Sequence, residues 1–483
     1  MQTKTSPDEI ETFLTDASFI REGHADRVVL PETVEEVSEV LANANRDRVP
    51  VTVSGAGTGT VGGRVAFGGI VLATDKLNRI KQIVHQARGG FAVVEAGVIL
   101  SDLQRAVDQE ALLYPPDPTE RGCFVGGNVA TNASGARTFK YGPTRSYIRR
   151  LKVVLASGEV LDLRRGEVRA DARGRICLDK SIEVQLPHYR MPATRKNATG
   201  YFVAPEMDAV DLFIGSEGTL GVICEVEVKL LPKPEGLLSG VVFFANEADV
   251  LALVQEVRAH VDARAIEFFD EESLRFLREK YPTIPAEAVA AIFFEQETTA
   301  ETEDAVLNQW LALLDQHHAL ADSWFATNEQ DQAKLREFRH QLPVLMNEWF
   351  AHYRQRKVST DMSVPDDAFP GLFHLYKETL RSSGLRYTIF GHIGDNHVHV
   401  NILPRDETAG ARAREMYVEF LKYAASVGGT LSAEHGVGKL KREYLHLFYT
   451  DDQLREMAAV KKALDPNGIL GRGNILSEEL LEN

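Results

Sequence analysis

The sequence is poor in cysteine and has no long apolar run. Its three cysteines, Cys123, Cys177 and Cys224, lie far apart and form no CxxC pair, which argues against a disulfide framework, a zinc ribbon and an iron–sulfur cluster. If electrons pass through this protein, an organic cofactor must carry them. No stretch approaches the roughly 18 apolar residues of a membrane span, and the first residues lack the apolar centre of a secretion signal. We therefore expect a cytoplasmic protein.

Positive charge is also in short supply, with 54 Lys and Arg against 70 Asp and Glu and a formal net charge of −16. Nucleic-acid affinity is built largely from Lys and Arg that neutralise phosphates, so a nucleic-acid partner is not expected. The acidity does not exclude a small anionic substrate, because a local arginine or metal holds such a ligand whatever the net charge. With 44% hydrophobic and 26% charged residues, the composition is that of an ordinary globular protein.

Local patterns predict alternating helices and strands. Thr33, with Glu36 three residues later, is typical of a helix N-cap, and the apolar period after it predicts a helix to about Asn45. Strands are predicted at 51–53, 70–73, 92–96, 151–156 and 222–231. Pro232 and Pro234 then interrupt the pattern. After them we predict helices near 246–260, 300–316 and 328–350, strands at 240–244 and 290–295, and a last helix at 457–464.

A glycine-rich loop follows the strand predicted at 51–53. Gly57-x-Gly59-x-x-Gly62 matches the dinucleotide-binding pattern, but the loop runs into another strand and lacks the helix that this pattern requires. Seven glycines between 55 and 69 are costly unless the backbone needs φ > 0 or a close ligand. Successive N–H groups in such a loop form a nest that suits a pyrophosphate. The other interpretation is a glycine-rich turn without a ligand.

Two further segments are rich in small residues, Val125–Gly135 and Ile214–Ile223, and Tyr114–Thr119 and Tyr141–Arg145 accompany them. Together with the glycine loop, they resemble the FAD-binding domain of the vanillyl-alcohol oxidase-like flavoproteins. The resemblance implies an α+β fold with a FAD-binding domain of two α+β subdomains at 1–235. It also implies an α+β substrate (cap) domain at 236–445 and a C-terminal segment at 446–483 that returns to the FAD domain.

The resemblance also implies which residues contact FAD. These are Ser54, Gly55, Gly57, Thr58, Gly59, Thr60, Gly62, Pro118, Gly126, Gly127, Asn128, Thr131, Asn132, Ser134, Gly135, Tyr141, Glu217, Gly218, Gly221, Val222 and Ile223.

Four of the 14 histidines fall in two short blocks, at 391–401 and 432–438. On a strand His397 and His399 share a face, and His392 precedes a turn that lets it fold back beside them. With Glu434, these residues supply imidazoles and a carboxylate, which suit zinc, manganese or iron. A hydrogen-bonded structural histidine is the other interpretation of His397.

These blocks resemble the HxGDGxxHxN and SAEHGxG motifs of the D-2-hydroxyacid dehydrogenases within that flavoprotein family. The resemblance implies that His392, His399 and Glu434 bind a divalent metal, that Asn401 contacts substrate and that His435 is the general base. It further implies that Arg339 holds the substrate carboxylate, for which a guanidinium is well shaped.

The chain departs from the family pattern at three places. Asn396-His397 replaces the usual Gly-Asn, which indicates a fourth ligand or an altered pocket. Ser359-Thr360 stands where several relatives carry a lysine, which disfavours D-2-hydroxyglutarate as the substrate. Gly471-Arg472 replaces a common Asn-Pro in the closing segment, where the family places a flavin contact.

We therefore predict a FAD-dependent dehydrogenase that oxidises a small 2-hydroxy acid, similar to D-lactate or glycolate, with metal assistance. The electrons would leave to an external acceptor, which is a quinone, an electron-transfer flavoprotein or a partner subunit. A homodimer is one of the oligomeric states that the sequence allows. Two other interpretations are kept. One is a metal-dependent hydrolase with purely structural glycine loops, and the other is a flavin-binding electron-transfer subunit without its own substrate site.

Overall fold

The first sheet carries the glycine-rich loop. The structure is a computed structural model that describes residues 1–179, 182–355 and 357–482. The sheet has the order β1-β2-β4-β3, with β2, β4 and β3 parallel. Its strands are β1 Gln2–Lys4, β2 Arg27–Leu30, β3 Val51–Ser54 and β4 Ile70–Ala73, and its helices are α1 Pro7–Ile10, the 3₁₀ helix Glu11–Phe13, and α2 Val34–Asp47.

Helix α2 begins as the sequence predicts. The Thr33 hydroxyl accepts the backbone N–H of Glu36, which caps the first turn. The helix buries one apolar side, including Val37 and Leu41, against the first sheet, as expected for apolar residues spaced at the helical period.

The second sheet is antiparallel, with the order β5-β6-β12-β8-β9 and β7 paired to β12. A separate hairpin, β10-β11, branches from the same stretch of chain. The strands are β5 Ile80–Gln86, β6 Gly89–Glu95, β7 Leu112–Leu113, β8 Ile148–Val154, β9 Val160–Arg164, β10 Arg175–Asp179, β11 Ile182–Gln185 and β12 Val222–Pro232. The helices are α3 Leu100–Gln109, α4 Val125–Ala130, α5 Thr138–Tyr141, the 3₁₀ helix Thr144–Tyr147, and α6 Val210–Phe213.

The third sheet has seven antiparallel strands in the order β16-β13-β15-β14-β18-β19-β17. They are β13 Gly236–Phe244, β14 Ala263–Asp270, β15 Ala290–Thr298, β16 Trp324–Ala326, β17 Val358–Ser359, β18 Arg386–Gly391 and β19 His399–Leu403. The helices are α7 Glu247–His260, α8 Glu271–Leu277, α9 Glu303–Gln316, α10 Glu329–Tyr353, α11 Phe369–Ser383 and α12 Glu407–Ser426, with 3₁₀ helices Ile393–Asp395 and Arg442–Leu447.

One face of the third sheet packs on α10 through Phe338 and Leu342, and the other packs on α7 and α11. Because helices cover both faces, the strands are buried on both sides. The sheet is therefore a rigid support for the histidines that follow β18 and open β19.

The chain end returns to the first sheet. After α13 Asp451–Leu464, the N–H of Val51 donates to the carbonyl of Ile469 at 2.8 Å, and the N–H of Gly471 donates to Val51 at 2.9 Å. A short helix, α14 Glu478–Glu482, follows. Across the described residues, no helix is both long and apolar enough to cross a membrane.

The proposed domain limits fall at different kinds of structure. Strand β12 ends at Pro232 and β13 begins at Gly236, so the sheets change at the proposed limit of 235. The second proposed limit, at 445, falls inside the 3₁₀ helix Arg442–Leu447, which makes it a poor position for a linker. The three-part division remains a proposal.

Candidate active site

A cavity opens between the glycine-rich loop, α4 and the turn before β12. Twelve of the predicted FAD contacts line it, namely Gly55, Gly57, Thr58, Gly59, Gly126, Gly127, Asn128, Thr131, Glu217, Gly218, Gly221 and Ile223. Small side chains leave backbone N–H groups open to a ligand here. The three glycine-rich segments, which are far apart in sequence, therefore line one continuous cavity.

Nine predicted contacts lie outside this lining, namely Ser54, Thr60, Gly62, Pro118, Asn132, Ser134, Gly135, Tyr141 and Val222. Several have structural partners instead. Asn132 donates to the carbonyl of Asn197 and accepts the N–H of Arg145, and Val222 packs in the core beneath the first sheet. Ser134 differs, because its hydroxyl is buried without a hydrogen-bond partner in the described chain, which suits a polar ligand atom.

The glycine loop has the geometry of an anion nest rather than of a Rossmann turn. No helix forms between β3 and β4, and Gly57 and Gly62 take φ of +79° and +75°. Arg64 crosses the loop and donates through Nη1 to the carbonyl of Gly55 at 2.8 Å. Arg64 was not predicted from the sequence, although it is the only basic residue between 54 and 69 and a cation is expected near a pyrophosphate.

Glu217 connects this cavity to the Ser432–Gly438 block. Its carboxylate accepts the backbone N–H groups of Val437 and Gly438, each at 2.7 Å. Burial raises the pKa of Glu217 to about 7, against these hydrogen bonds. The residue therefore fixes the loop that carries Glu434 and His435.

The histidine cluster comprises His392, His397, His399 and Glu434, whose ligand atoms all lie within 4.8 Å of one another. His392 directly follows β18, and His399 begins β19. The prediction that His397 and His399 sit together on one strand is wrong in detail, because the strand starts only at His399. A 3₁₀ turn and the left-handed Asn396, with φ +54°, bring His397 to the same centre.

The distances within the cluster suit a metal centre. Glu434 lies 3.0 Å from Nε2 of His392, 3.5 Å from Nδ1 of His397 and 3.8 Å from Nε2 of His399. Imidazole nitrogens and a carboxylate are the ligands that divalent transition metals prefer. These residues fit the metal that the family resemblance implies.

Protonation in the cluster follows from burial and charge. Burial disfavours a charged His392, but Glu267 and Glu434 outweigh it and raise the pKa of His392 to about 9. Burial holds the pKa of His399 well below its usual value. Against burial, His392 and Lys196 hold the pKa of Glu434 well below its usual value. Metal binding would therefore displace a proton from His392.

Lys196 is a member of the site that the sequence analysis missed. It is fully buried, and its Nζ lies 2.6 Å from Glu434 and 3.2 Å from Asp395. Its ammonium also donates to the carbonyl of Gly135. A single lysine between two loops carries no motif, so only the fold brings it to these carboxylates.

His435 lies where the cavity and the cluster meet. It lines the cavity, and its ring stacks on that of His399 at 5.4 Å. Its Nδ1 lies 3.3 Å from a carboxylate oxygen of Asp361. The side chain is 35% exposed, so a substrate in the cavity could reach it.

Asn401 and Arg339 are also near the cluster. Asn401 follows His399 by two residues on β19 and thus shares its face, and both its amide atoms are buried without a partner in the described residues. Arg339 donates Nε and Nη2 to one oxygen of Glu267, whose other oxygen lies 2.6 Å from Nδ1 of His392. In this structure the guanidinium is therefore engaged with a carboxylate of the protein.

An arginine-rich cluster adjoins Arg339 and was also missed. Arg264, Arg137 and Arg336 lie 3.5, 3.7 and 3.9 Å from the buried carboxylate of Glu295. Arg137 also lies 3.3 Å from Asp117, and two carboxylates do not neutralise three guanidinium groups. This side of the third sheet is accordingly locally positive in an acidic protein.

Comparison with known proteins agrees with this geometry. Residues 25–164 match the family described as FAD binding domain, and residues 233–475 match the family described as FAD linked oxidases, C-terminal domain. The glycolate oxidase subunit GlcD of Bacillus subtilis is 30% identical over 94% of this chain and 89% of that protein. A D-lactate dehydrogenase of Anaerostipes hadrus is 31% identical over 97% and 93%.

The solved structure of alkyldihydroxyacetonephosphate synthase has the same fold, with a TM-score of 0.70 at 17% identity over 97% of this chain and 82% of that one. The two family matches make the protein a flavoprotein. It belongs to the FAD-linked oxidases and is a FAD-dependent oxidoreductase. The resemblance carried by the glycine segments is confirmed.

Proposed function

We propose that the protein oxidises a small 2-hydroxy acid, similar to D-lactate or glycolate, to the 2-oxo acid. The observation that carries the proposal is the position of His435, which lines the FAD cavity and stacks on His399 of the cluster. A base, a metal-ligand set and a flavin site in contact are what removal of H⁺ and H⁻ from a CH–OH group requires. The names of the relatives, a glycolate oxidase subunit and a D-lactate dehydrogenase, support the substrate class.

The FAD would lie on the glycine-rich loop, with its pyrophosphate at Gly57 and Gly59 and near the Arg64 cation. Bound there, FAD would be the hydride acceptor. The residues of the Ile214–Ile223 segment would enclose the rest of the cofactor, since Glu217, Gly218 and Gly221 line the same cavity.

The metal would be held by His392, His399 and Glu434, and as a Lewis acid it would polarise the substrate hydroxyl. Lys196 neutralises part of the charge of Glu434. Glu267 and the carbonyl of Thr360 each hold the second nitrogen of a ligand histidine, which orients the rings.

His435 would take the hydroxyl proton. Burial opposes the ionised form of Asp361, but His435 and Lys441 outweigh it and hold the pKa of that carboxyl well below its usual value. The ionised Asp361 favours the His435 tautomer with a proton on Nδ1, which leaves Nε2 as the proton acceptor. With the hydroxyl proton on His435 and a hydride acceptor bound in the cavity, the product would be the 2-oxo acid.

The substrate carboxylate would be oriented by Arg339 and the neighbouring arginines, with Asn401 as a further polar contact. The Nη1 of Arg339 is not donated to Glu267 and lies 3.4 Å from the ring nitrogens of His340, so an anion that binds this atom would replace the contact with His340. The Ser359-Thr360 segment supplies no cation here. The Thr360 hydroxyl instead accepts the N–H of Val400.

The test is the variant His435→Ala. We expect the purified variant to retain FAD but to lose anaerobic bleaching of the flavin by 2-hydroxy acids by a factor of ~10²–10⁴, the usual contribution of a general base. His374→Ala is the control, because His374 is exposed and lies outside the site.

Bleaching of His435→Ala at the wild-type rate would remove His435 from the mechanism. A colourless wild-type protein with metal-dependent hydrolytic activity would favour the hydrolase interpretation. The electrons would pass to an external quinone, electron-transfer flavoprotein or partner subunit, and reoxidation assays with each class distinguish these acceptors.

A further inference from the structure

We infer that His397 is a fourth protein ligand of the metal centre, which makes it a site of three imidazoles and one carboxylate. The inference rests on the metal-assisted function proposed above. It concerns a position at which this chain departs from the motif that the segment resembles, which has asparagine there.

The first argument is distance. Nδ1 of His397 lies 3.5 Å from Glu434, closer than Nε2 of His399 at 3.8 Å. The His397 ring lies 4.5 Å from the His399 ring and 5.5 Å from the His392 ring. Metal bonds of about 2.1 Å place opposite ligands about 4.2 Å apart, so the 4.8 Å span of the four ligand atoms needs only a small contraction.

The second argument is the partner of the outer nitrogen. In a metal site, a ligand histidine presents one ring nitrogen to the ion and donates the other to a carboxylate or carbonyl. His392 does this with Glu267, and His399 does it with the carbonyl of Thr360. His397 is placed for a similar arrangement, because its Nε2 lies 3.2 Å from a carboxylate oxygen of Asp361, although not in hydrogen-bond geometry, and its Nδ1 lies 3.5 Å from Glu434.

The third argument is burial. His397 is fully buried, and in the described part of the chain neither its Nε2 nor its inward Nδ1 has a hydrogen-bond partner. A purely structural histidine at such depth would have both nitrogens satisfied. A metal ion in the centre would complete the bonding of Nδ1.

The preceding residue explains how the chain reaches the centre. Asn396 takes φ +54°, a conformation that asparagine tolerates better than most residues other than glycine. Its side chain accepts from Arg258 at 2.6 Å and donates to Asp366. The two departures from the motif thus act together, since Asn396 fixes the turn and His397 uses the direction that the turn sets.

Four protein ligands restrict which metal ions would leave a coordination position for substrate. A tetrahedral ion would have no position left for substrate, so the substrate can bind only to an ion that accepts five or six ligands. The third imidazole also favours a metal later in the first row over manganese.

The experiment measures Co²⁺ binding to the chelator-stripped, FAD-loaded protein by competition with a chromophoric chelator, together with the visible spectrum of bound Co²⁺. For His397→Asn, which introduces the residue of the motif, we expect an affinity at least ~10-fold weaker and an altered spectrum. His392→Asn should weaken binding at least as much, and His374→Asn should change nothing.

Wild-type affinity and an unchanged spectrum in His397→Asn, with binding lost in His392→Asn, would overturn the inference alone. Wild-type binding in both variants would overturn the metal centre itself. If His397→Asn does not fold, the same Co²⁺ binding measurement is made on His397→Gln, and the number of imidazole ligands is counted in the wild-type protein. Electron spin echo modulation of bound Cu²⁺ should count three imidazoles in the wild type, and a count of two would contradict the inference.

Discussion

Asp361 joins the proposed base to the histidine cluster. Its carboxylate lies 3.3 Å from Nδ1 of His435 and 3.2 Å from Nε2 of His397, and it accepts the backbone N–H groups of Glu434 and His435. One carboxylate thereby sets the orientation of two rings. Its effect on the reaction would be indirect, since it acts through the histidines.

Asp361→Asn should reduce the rate of flavin reduction by ~10²–10⁴-fold, because an amide no longer favours the His435 tautomer with an accepting Nε2. Stopped-flow bleaching under anaerobic conditions measures this rate. Asp367→Asn is the matched control, since Asp367 is exposed in the same segment. A wild-type rate in Asp361→Asn would contradict the assigned role, and the pH profile of bleaching should shift only in Asp361→Asn.

At this scale the sequence indicates residues that stand in short blocks. His392, His399 and Glu434 belong to such blocks, and the structure brings them together. Lys196 is 238 residues from Glu434 along the chain and has no motif around it. Its contact depends on how the loop before α6 packs on the segment around Ser432, and no local pattern encodes that.

Element boundaries were predicted where a side chain marks them. Thr33 caps α2 in the predicted place. The last long helix was predicted at 457–464 but begins at Asp451, because Thr450 and Gln453 form a capping box that the apolar period did not reveal. The order of the seven-stranded sheet depends on pairing between strands far apart in sequence, which local patterns do not specify.

Glu217 links two elements through a buried carboxyl, and this makes stability depend on pH. Because its folded pKa of about 7 lies above the ordinary value of 4.5, folding favours the protonated form. The stability from this group is fully present below pH 4.5 and is lost as the pH rises through 7.

Glu217→Gln, which resembles the protonated form, should remove this dependence. Between pH 4.5 and pH 8 the wild type should lose about 3 kcal/mol of unfolding free energy relative to the variant, from 1.36 kcal/mol per pKa unit. Urea unfolding at both pH values measures the difference. Glu301→Gln, at an exposed position, should show no such loss. An equal change in unfolding free energy between the two pH values for wild type and Glu217→Gln would refute the assignment.

For the whole molecule, positive charge is concentrated near the candidate site although the net charge is negative. The chain carries a net charge of −16, yet Arg137, Arg264, Arg336 and Arg339 gather on one side of the third sheet. A local positive field attracts a small anion even when the net charge opposes it. Composition alone therefore could not indicate the substrate, whereas the fold places the positive charge beside the histidine cluster.

The central claim is that this flavoprotein removes hydride from small 2-hydroxy acids. Its most direct test is anaerobic titration of the FAD-loaded protein with glycolate and with each enantiomer of lactate, followed by the visible flavin bands. We predict bleaching by glycolate or D-lactate, with formation of one 2-oxo acid per flavin reduced. Intact flavin bands with every 2-hydroxy acid, in a protein that dithionite reduces normally, would contradict the account.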